Sequence, residues 1–185
     1  GARATVDNTF LSPVLQRPLE LGADIVIHST TKYINGHSDI VGGALVAATD
    51  ELAEQLSWWA NCIGATGAPF DSFMTLRGIR TLYPRIRQHE ESAALVANVL
   101  AAQANVARVY YPGLDDHPGH DLAKKQQRGF GGMVSFEIEG GEAPVGQPSI
   151  GLLARAQGGT LLIEDVEALP EALGQELGER LASTA

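Results

Sequence analysis

Two short apolar runs placed either side of a proline-to-glycine segment constrain this chain more than any other feature. Ala4 to Val6 and Asp24 to Ile27 each read as a buried strand, and Pro13-Val-Leu-Gln-Arg-Pro-Leu-Glu-Leu-Gly22 lies between them. Proline near its start and glycine just past its end mark that segment as a short crossover helix, because proline's fixed φ suits a first turn and glycine tolerates a left-handed exit. Strand, helix and strand in that order predict a β-α-β unit with a parallel pair, and so an α/β fold. In such sheets ligands bind beyond the carboxyl ends of the strands.

The residues expected at those ends have a specific chemistry. Val6-Asp7-Asn8-Thr9 closes the first strand, and His28-Ser29-Thr30-Thr31-Lys32-Tyr33 follows the second. An amine beside hydroxyls that hold an anion suits a phosphorylated aldehyde, which points to pyridoxal 5'-phosphate as cofactor. Lys32 would form the Schiff base, for which its amine must be partly deprotonated, and burial with a nearby cation favours that. Ser29 and Thr31 stand two apart on a chain read as extended, so both hydroxyls can face one phosphate. Asp7 would sit under the pyridinium nitrogen and keep it protonated, which makes the ring an electron sink. No metal is required. Asp7 alone reads equally as a turn or cap residue, and a lone lysine after a strand as a solvated one. The four residues together carry the reading. His28 and His37 are expected to be structural hydrogen-bonders, and Tyr33 either packs or lines the site.

Further along, Val41 to Ala48 is expected as another buried strand, and Thr49-Asp50-Glu51 opens a helix with acids in its first turn. That helix carries Leu52, Leu56, Trp59 and Ile63 at helical spacing. After a loop from Gly64 to Pro69, Phe73, Leu76, Ile79, Tyr83 and Ile86 trace a second helical stripe, which Pro84 should kink or divide. Arg77, Arg80, Arg85 and Arg87 read as a solvated basic face. A strand at Ala107 to Tyr111, a helix around Asp121 to Gln127 and a strand at Met133 to Ile138 follow. His117 and His120 lack the cysteine or carboxylate partners of a four-ligand metal site and read as loop residues.

Composition narrows the function classes. A net charge of −9 opposes nonspecific nucleic-acid binding, and no apolar run approaches the ~20 residues that a membrane-spanning helix needs. Cys62 is the sole cysteine, so no internal disulfide forms; it is expected as a buried small hydrophobe. The N-terminus runs straight into a strand without a signal-peptide pattern. A cytoplasmic enzyme fits these features.

The motifs also resemble a known family. Val6-Asp7-Asn-Thr-Phe10 with His28-Ser-Thr-Thr-Lys32-Tyr-Ile-Asn-Gly-His37-Ser-Asp39 resembles the lysine signature of the Cys/Met metabolism enzymes. Trp58 through Leu82 and Gly129-Phe-Gly-Gly-Met-Val-Ser-Phe-Glu137 are similar to its cystathionine gamma-synthase type, over roughly residues 1 to 141. The resemblance implies a fold-type I PLP-dependent transferase of the aspartate aminotransferase-like class. Residues 1–86 would be the C-terminal part of the large cofactor domain, 87–141 the start of the small α/β domain, and 142–185 a divergent tail. The implied reaction is gamma-replacement: an acylated homoserine such as O-succinylhomoserine loses its acyl group and cysteine adds. Lys32 would shuttle the protons, and the whole enzyme would be a homotetramer. The same fold hosts cystathionine gamma-lyase, methionine gamma-lyase and acylhomoserine sulfhydrylase.

Beyond Gly141 the family's Ser-Leu-Gly stretch and its carboxylate-clamping arginine do not follow, and Arg155 stands in a different context. The family's cofactor-stacking aromatic and glycine-containing phosphate loop, which would precede Asp7, are also outside this sequence. Leu153 to Pro170 resembles the Walker B region of enhancer-binding AAA+ proteins. However, Glu164 precedes Asp165, the reverse of the usual pair, and the chain has no phosphate loop to support nucleotide hydrolysis. The expectation is therefore an incomplete or rearranged chain, inactive alone. The alternative is a catalytically dead remnant or interaction module.

Overall fold

The structure is a computed structural model that describes residues 1–138 and the strand backbone at 160–163. Two compact units divide within one helix, between Ile86 and Arg87. Residues 126–128 belong with the first unit and those from 129 on with the second.

The first unit is built on a three-stranded sheet of order β1-β2-β3. β1 (Thr5–Asp7) and β2 (Ile25–Ser29) pair in parallel with Thr5 opposite Ile25 and Asp7 opposite Ile27, as the β-α-β reading expects. The crossover is more broken than expected. α1 (Ser12–Leu15) ends at Gln16, and a 3₁₀ turn takes over at Pro18–Leu21. Pro18 has no N–H to continue the helix and forces the residue before it out of the helical region, so Arg17 stands at φ −125°, ψ 83°, while Gln16 ahead of it is extended. Gly22 closes the turn with φ 97°.

β3 (Gly43–Ala47) runs antiparallel to β2, with Val46 opposite Val26 and Leu45 opposite Ile27. It was expected to be buried, yet Leu45 is 53% and Val46 44% exposed. As the edge strand of this small sheet it lacks cover on its apolar side chains among the described residues. The same holds on the helices. α2 (Asp50–Ile63) starts as expected, with Thr49 Oγ1 accepting from the Leu52 N–H, but of its stripe only Leu52 is buried. Trp58 and Trp59 meet edge to face and both stay exposed, as do Phe73 and Leu76 of α3 (Pro69–Ile79). Cys62 is exposed too, contrary to expectation.

The chain breaks between α3 and α4 (Leu82–Ala101) at Arg80 and Thr81, ahead of Pro84. Pro84 is the third residue of α4, where its missing N–H has no intrahelical partner to lose. The core of this unit gathers Leu15, Tyr33, Ile34, Leu82 and Ile86. Tyr33 therefore packs, at 2% exposure.

In the second unit β4 (Val106–Tyr110), β5 (Val134–Ile138) and β6 (Thr160–Ile163) form an antiparallel sheet of that order. Phe136, Val134 and Tyr111 pack on the α4 face made by Ala93, Val96, Ala97 and Leu100. Ala93 and Ala97, one turn apart on that face, stand beside the larger Val96 and Leu100. α5 (His120–Gln126) lies between β4 and β5 in sequence. His117 accepts the Gly119 N–H, and His120 stacks on Phe130 and reaches the Pro112 carbonyl at 2.8 Å. Both histidines thus serve the turn. Glu164 and Asp165 lie outside the described residues, as does the greater part of the expected tail.

Candidate cofactor site at the carboxyl ends of β1 and β2

Side chains of residues opposed in register share a face of the sheet, and the face alternates along each strand. Asp7, opposite Ile27, is therefore on the same face as Ser29. Beyond Asp7 the ladder continues as the Asn8 N–H donates to the Ile27 carbonyl at 2.9 Å. Asn8 itself is buried and donates from Nδ2 to the carbonyls of Ser12 and Gln16, which ties the broken crossover back to β1.

Thr9, which the sequence reading passed over, joins the two strand ends. Its N–H donates to Asp7 Oδ1 at 3.0 Å, closing an Asx turn, while its Oγ1 accepts the Ser29 N–H at 2.8 Å. Hydrogen bonds from the Thr9 hydroxyl and then the Thr9 N–H hold the Asp7 carboxyl below the usual carboxylate range; slight burial works against this, and the positive charge available on His28 adds to it. Asp7 is thus kept ionised. His28 is 6% exposed, and burial pushes its imidazole down, with the Asp7 charge and a hydrogen bond to the Asn8 backbone opposing. A threonine two residues after an aspartate at a strand end is the signal that sequence reasoning had available for this relay.

Lys32 and Thr31 sit on a different kind of backbone from the one expected. The extended chain stops at Ser29, and Thr30–Ile34 wind into a π-helical turn in which Lys32 leaves helical geometry at φ −87°, ψ −128°. Strand alternation therefore does not set the relation between Ser29 and Thr31. The Thr31 hydroxyl accepts the Gly42 N–H at 2.9 Å and faces the Gly42 carbonyl at 3.4 Å, while the Thr30 N–H donates to that carbonyl at 2.9 Å. The turn is thereby fastened to the start of β3. Lys32 is half-buried, between Thr31 and the fully packed Tyr33 and Ile34.

On the other side of Lys32 three features hold the turn. Gly36 takes φ 72°, a left-handed value, and its N–H donates to the Lys32 carbonyl at 2.8 Å. Asn35 is buried and donates from Nδ2 to Asp39 Oδ1 at 2.6 Å, and His37 Nδ1 donates to the Asn35 carbonyl at 2.6 Å. Arg85, expected on a solvated face, instead donates to the carbonyls of Tyr33 and Gly78, each at 2.9 Å, and to Thr81 Oγ1 at 3.2 Å.

The donor set fits pyridoxal phosphate: an ionised carboxylate for a ring N–H, hydroxyls of the type that bind phosphate, and a lysine on a rigid turn. Among the described residues no group of three histidine, cysteine, aspartate or glutamate side chains is placed to hold a metal ion, and no helix is long and apolar enough to cross a membrane.

The chain is similar to proteins of one known family. Residues 1–160 match the model of the Cys/Met metabolism PLP-dependent enzyme family, past the limit near 141 that the motifs alone mark. A cystathionine gamma-synthase of Mycobacterium tuberculosis is 49% identical over 177 residues, covering 93% of this chain and 46% of the relative. A cystathionine beta-lyase of Coxiella burnetii is 58% identical over 137 residues, covering 74% of this chain and 35% of the relative. The crystal structure of cystathionine gamma-synthase from Xanthomonas oryzae pv. oryzae, in complex with aminoacrylate and cysteine, superposes with a TM-score of 0.75 at 64% identity, over 77% of this chain and 37% of that one. The chain spans about half the length of the curated relatives it matches. With the lysine turn, the parallel strand pair and a family match that covers most of its length, the chain belongs to the Cys/Met metabolism PLP-dependent enzymes and has their fold-type I architecture.

Proposed function

We propose that this chain carries the lysine half of the cofactor site of a transsulfuration enzyme of the cystathionine gamma-synthase type. The whole protein then replaces the acyl group of O-succinylhomoserine by cysteine: the carbon–oxygen bond to succinate breaks, a carbon–sulfur bond forms, and cystathionine results. The observation that carries this reading is the half-buried Lys32 on a pinned turn at the sheet edge where Asp7 and Ser29 share a face.

Bound pyridoxal phosphate supplies the electron sink for a carbanion at the substrate's alpha carbon. Lys32 would hold the cofactor through its amine and would move protons between the substrate's alpha and beta carbons. Asp7, kept ionised by Thr9, would hold the ring nitrogen protonated. The hydroxyls of Ser29 and Thr31 would hold the phosphate, Thr31 turning its O–H away from the Gly42 carbonyl. The whole protein is a homotetramer in this reading, and the exposed apolar side chains of Trp58, Trp59, Phe70 and Phe73 are surface that a partner copy or the rest of the protein would cover. We place the protein in the cytoplasm with the metabolites it uses.

The test is to mix the purified chain with pyridoxal phosphate, reduce with borohydride and map the adduct by peptide mass spectrometry. A single adduct on Lys32 is expected. Equal labelling of Lys32, Lys124 and Lys125, the three lysines of the chain, would sink the reading and leave a noncatalytic module. A second reading, elimination rather than replacement, draws support from the relative named cystathionine beta-lyase. Product analysis with acylated homoserine plus cysteine separates the two: cystathionine marks replacement, and a keto acid with ammonia marks elimination.

A further inference from the structure

We infer that Arg85 is a positioning residue for Lys32: its guanidinium fixes the turn that presents the lysine amine, although it lies 53 positions away in sequence on another element. This rests on the assignment of Lys32 as the cofactor-linking lysine. Arg85 spans two carbonyls that flank the site from opposite elements. Nη1 takes Tyr33, the residue next to Lys32, and Nη2 takes Gly78 near the end of α3, both at 2.9 Å. Nε reaches Thr81 Oγ1 at 3.2 Å, so the planar fork is oriented at three points.

Two glycines are shaped around this clamp. A Cβ on Gly36 would collide with the Arg85 guanidinium, and Gly36 also holds φ 72°. A Cβ on Gly78 would collide with the backbone of Asn35. The guanidinium therefore fills the space beside Gly36, and α3 presses directly on the chain three residues past Lys32. The Lys32 backbone leaves helical geometry within the turn, and its own carbonyl is held by the Gly36 N–H at 2.8 Å. Arg85 adds a hold from another element, bonding the next carbonyl along the turn, that of Tyr33. A lysine at 85 would keep the charge but could not bridge both carbonyls in one plane.

The test uses the full chain with pyridoxal phosphate and borohydride, and reads Lys32 labelling relative to Lys124 and Lys125, which are exposed and serve as internal references. The dependence of Lys32 labelling on pyridoxal phosphate concentration is recorded as well. In Arg85→Ala the Lys32 ratio at saturating cofactor should fall about tenfold, since misplacing a reacting group by about an ångström can cost up to about a hundredfold in rate, while the half-saturating concentration stays near the parent's. Arg85→Lys should fall between, and amide exchange in β1 and β2 should stay as in the parent. If Arg85→Ala loses exchange protection throughout, the saturating ratio in Arg85→Lys decides. A parent-like saturating ratio in the folded variants would overturn the inference while leaving the lysine assignment standing. A parent chain that does not label Lys32 selectively would overturn both.

Discussion

Replacing Gly78 by alanine sets two effects of known size against each other. Gly78 lies in the last turn of α3, where alanine is favoured over glycine by at most about 1 kcal/mol of helix propensity. Against that, the new Cβ would collide with the Asn35 carbonyl and its Cα. Those are backbone atoms of a buried residue, so no rotamer change relieves the contact. Overpacking of this kind costs about 1–3 kcal/mol. Moving α3 outward to escape it would also stretch the Arg85 bonds to the Gly78 and Tyr33 carbonyls, and hydrogen bonds to a charged group are worth about 1.5–3 kcal/mol each. The steric term wins, with a net destabilisation of about 1–2 kcal/mol. With a urea slope of about 2 kcal/mol/M, the midpoint of the first unit's transition should fall by about 0.5–1 M. Amide exchange in the 30–36 segment should rise at the same time. A variant as stable as the parent or more so, with unchanged exchange at 30–36, would refute the close-approach argument.

Lys32→Ala should abolish the borohydride-trapped adduct at that position and nearly all turnover of the whole protein, while labelling of Lys124 and Lys125 stays unchanged; retained turnover would remove Lys32 from its role. Thr9→Val deletes the hydroxyl that most strongly lowers the Asp7 carboxyl and leaves the Ser29 N–H without its acceptor. The Asp7 titration should therefore move up by NMR, and stability should drop by about 1–3 kcal/mol. Because the folded carboxyl titrates below its unfolded value, the stability it contributes is present above the ordinary carboxylate range and fades as pH falls through the lowered folded value. Tyr111→Phe should cost about 1 kcal/mol, since the buried hydroxyl donates to the Gly131 carbonyl at 3.1 Å. Burial first and the Glu90 charge second push Tyr111 up to about 12. The unfolded chain ionises near the ordinary value of 10, so stability should fall between the two as pH rises, and the Phe variant should lose that slope in alkaline denaturation.

The β-α-β unit was legible because its signals are local: an apolar run, a proline, a glycine and a second apolar run. The candidate site residues could be proposed for the same reason, since Asp7 and Lys32 each stand just past a strand that the sequence marks. Parallel pairing then made Asp7 and Ser29 share a face without any further information. Alternation did not extend to Thr31, because the π turn that begins at Thr30 is held by Gly42, Arg85 and Asn35, none of which an alternating pattern can register. Burial was the least legible property. Val41, Leu45, Trp59 and Phe73 are as apolar as core residues, yet they stand exposed here because burial depends on what surface lies opposite and not on the residue alone.

The sequence by itself determined the fold class and the cofactor chemistry and marked a candidate lysine, because those depend on residue types at short spacing. Only the tertiary structure decided how that lysine is held. Arg85 reads in sequence as one of four arginines on a helix, and its partner carbonyl at Tyr33 is 52 residues away. Nor does any local pattern mark Gly36 and Gly78 as the places where two segments press together. Contacts between segments distant along the chain are set by how the elements pack, and that packing exists only once the chain has folded.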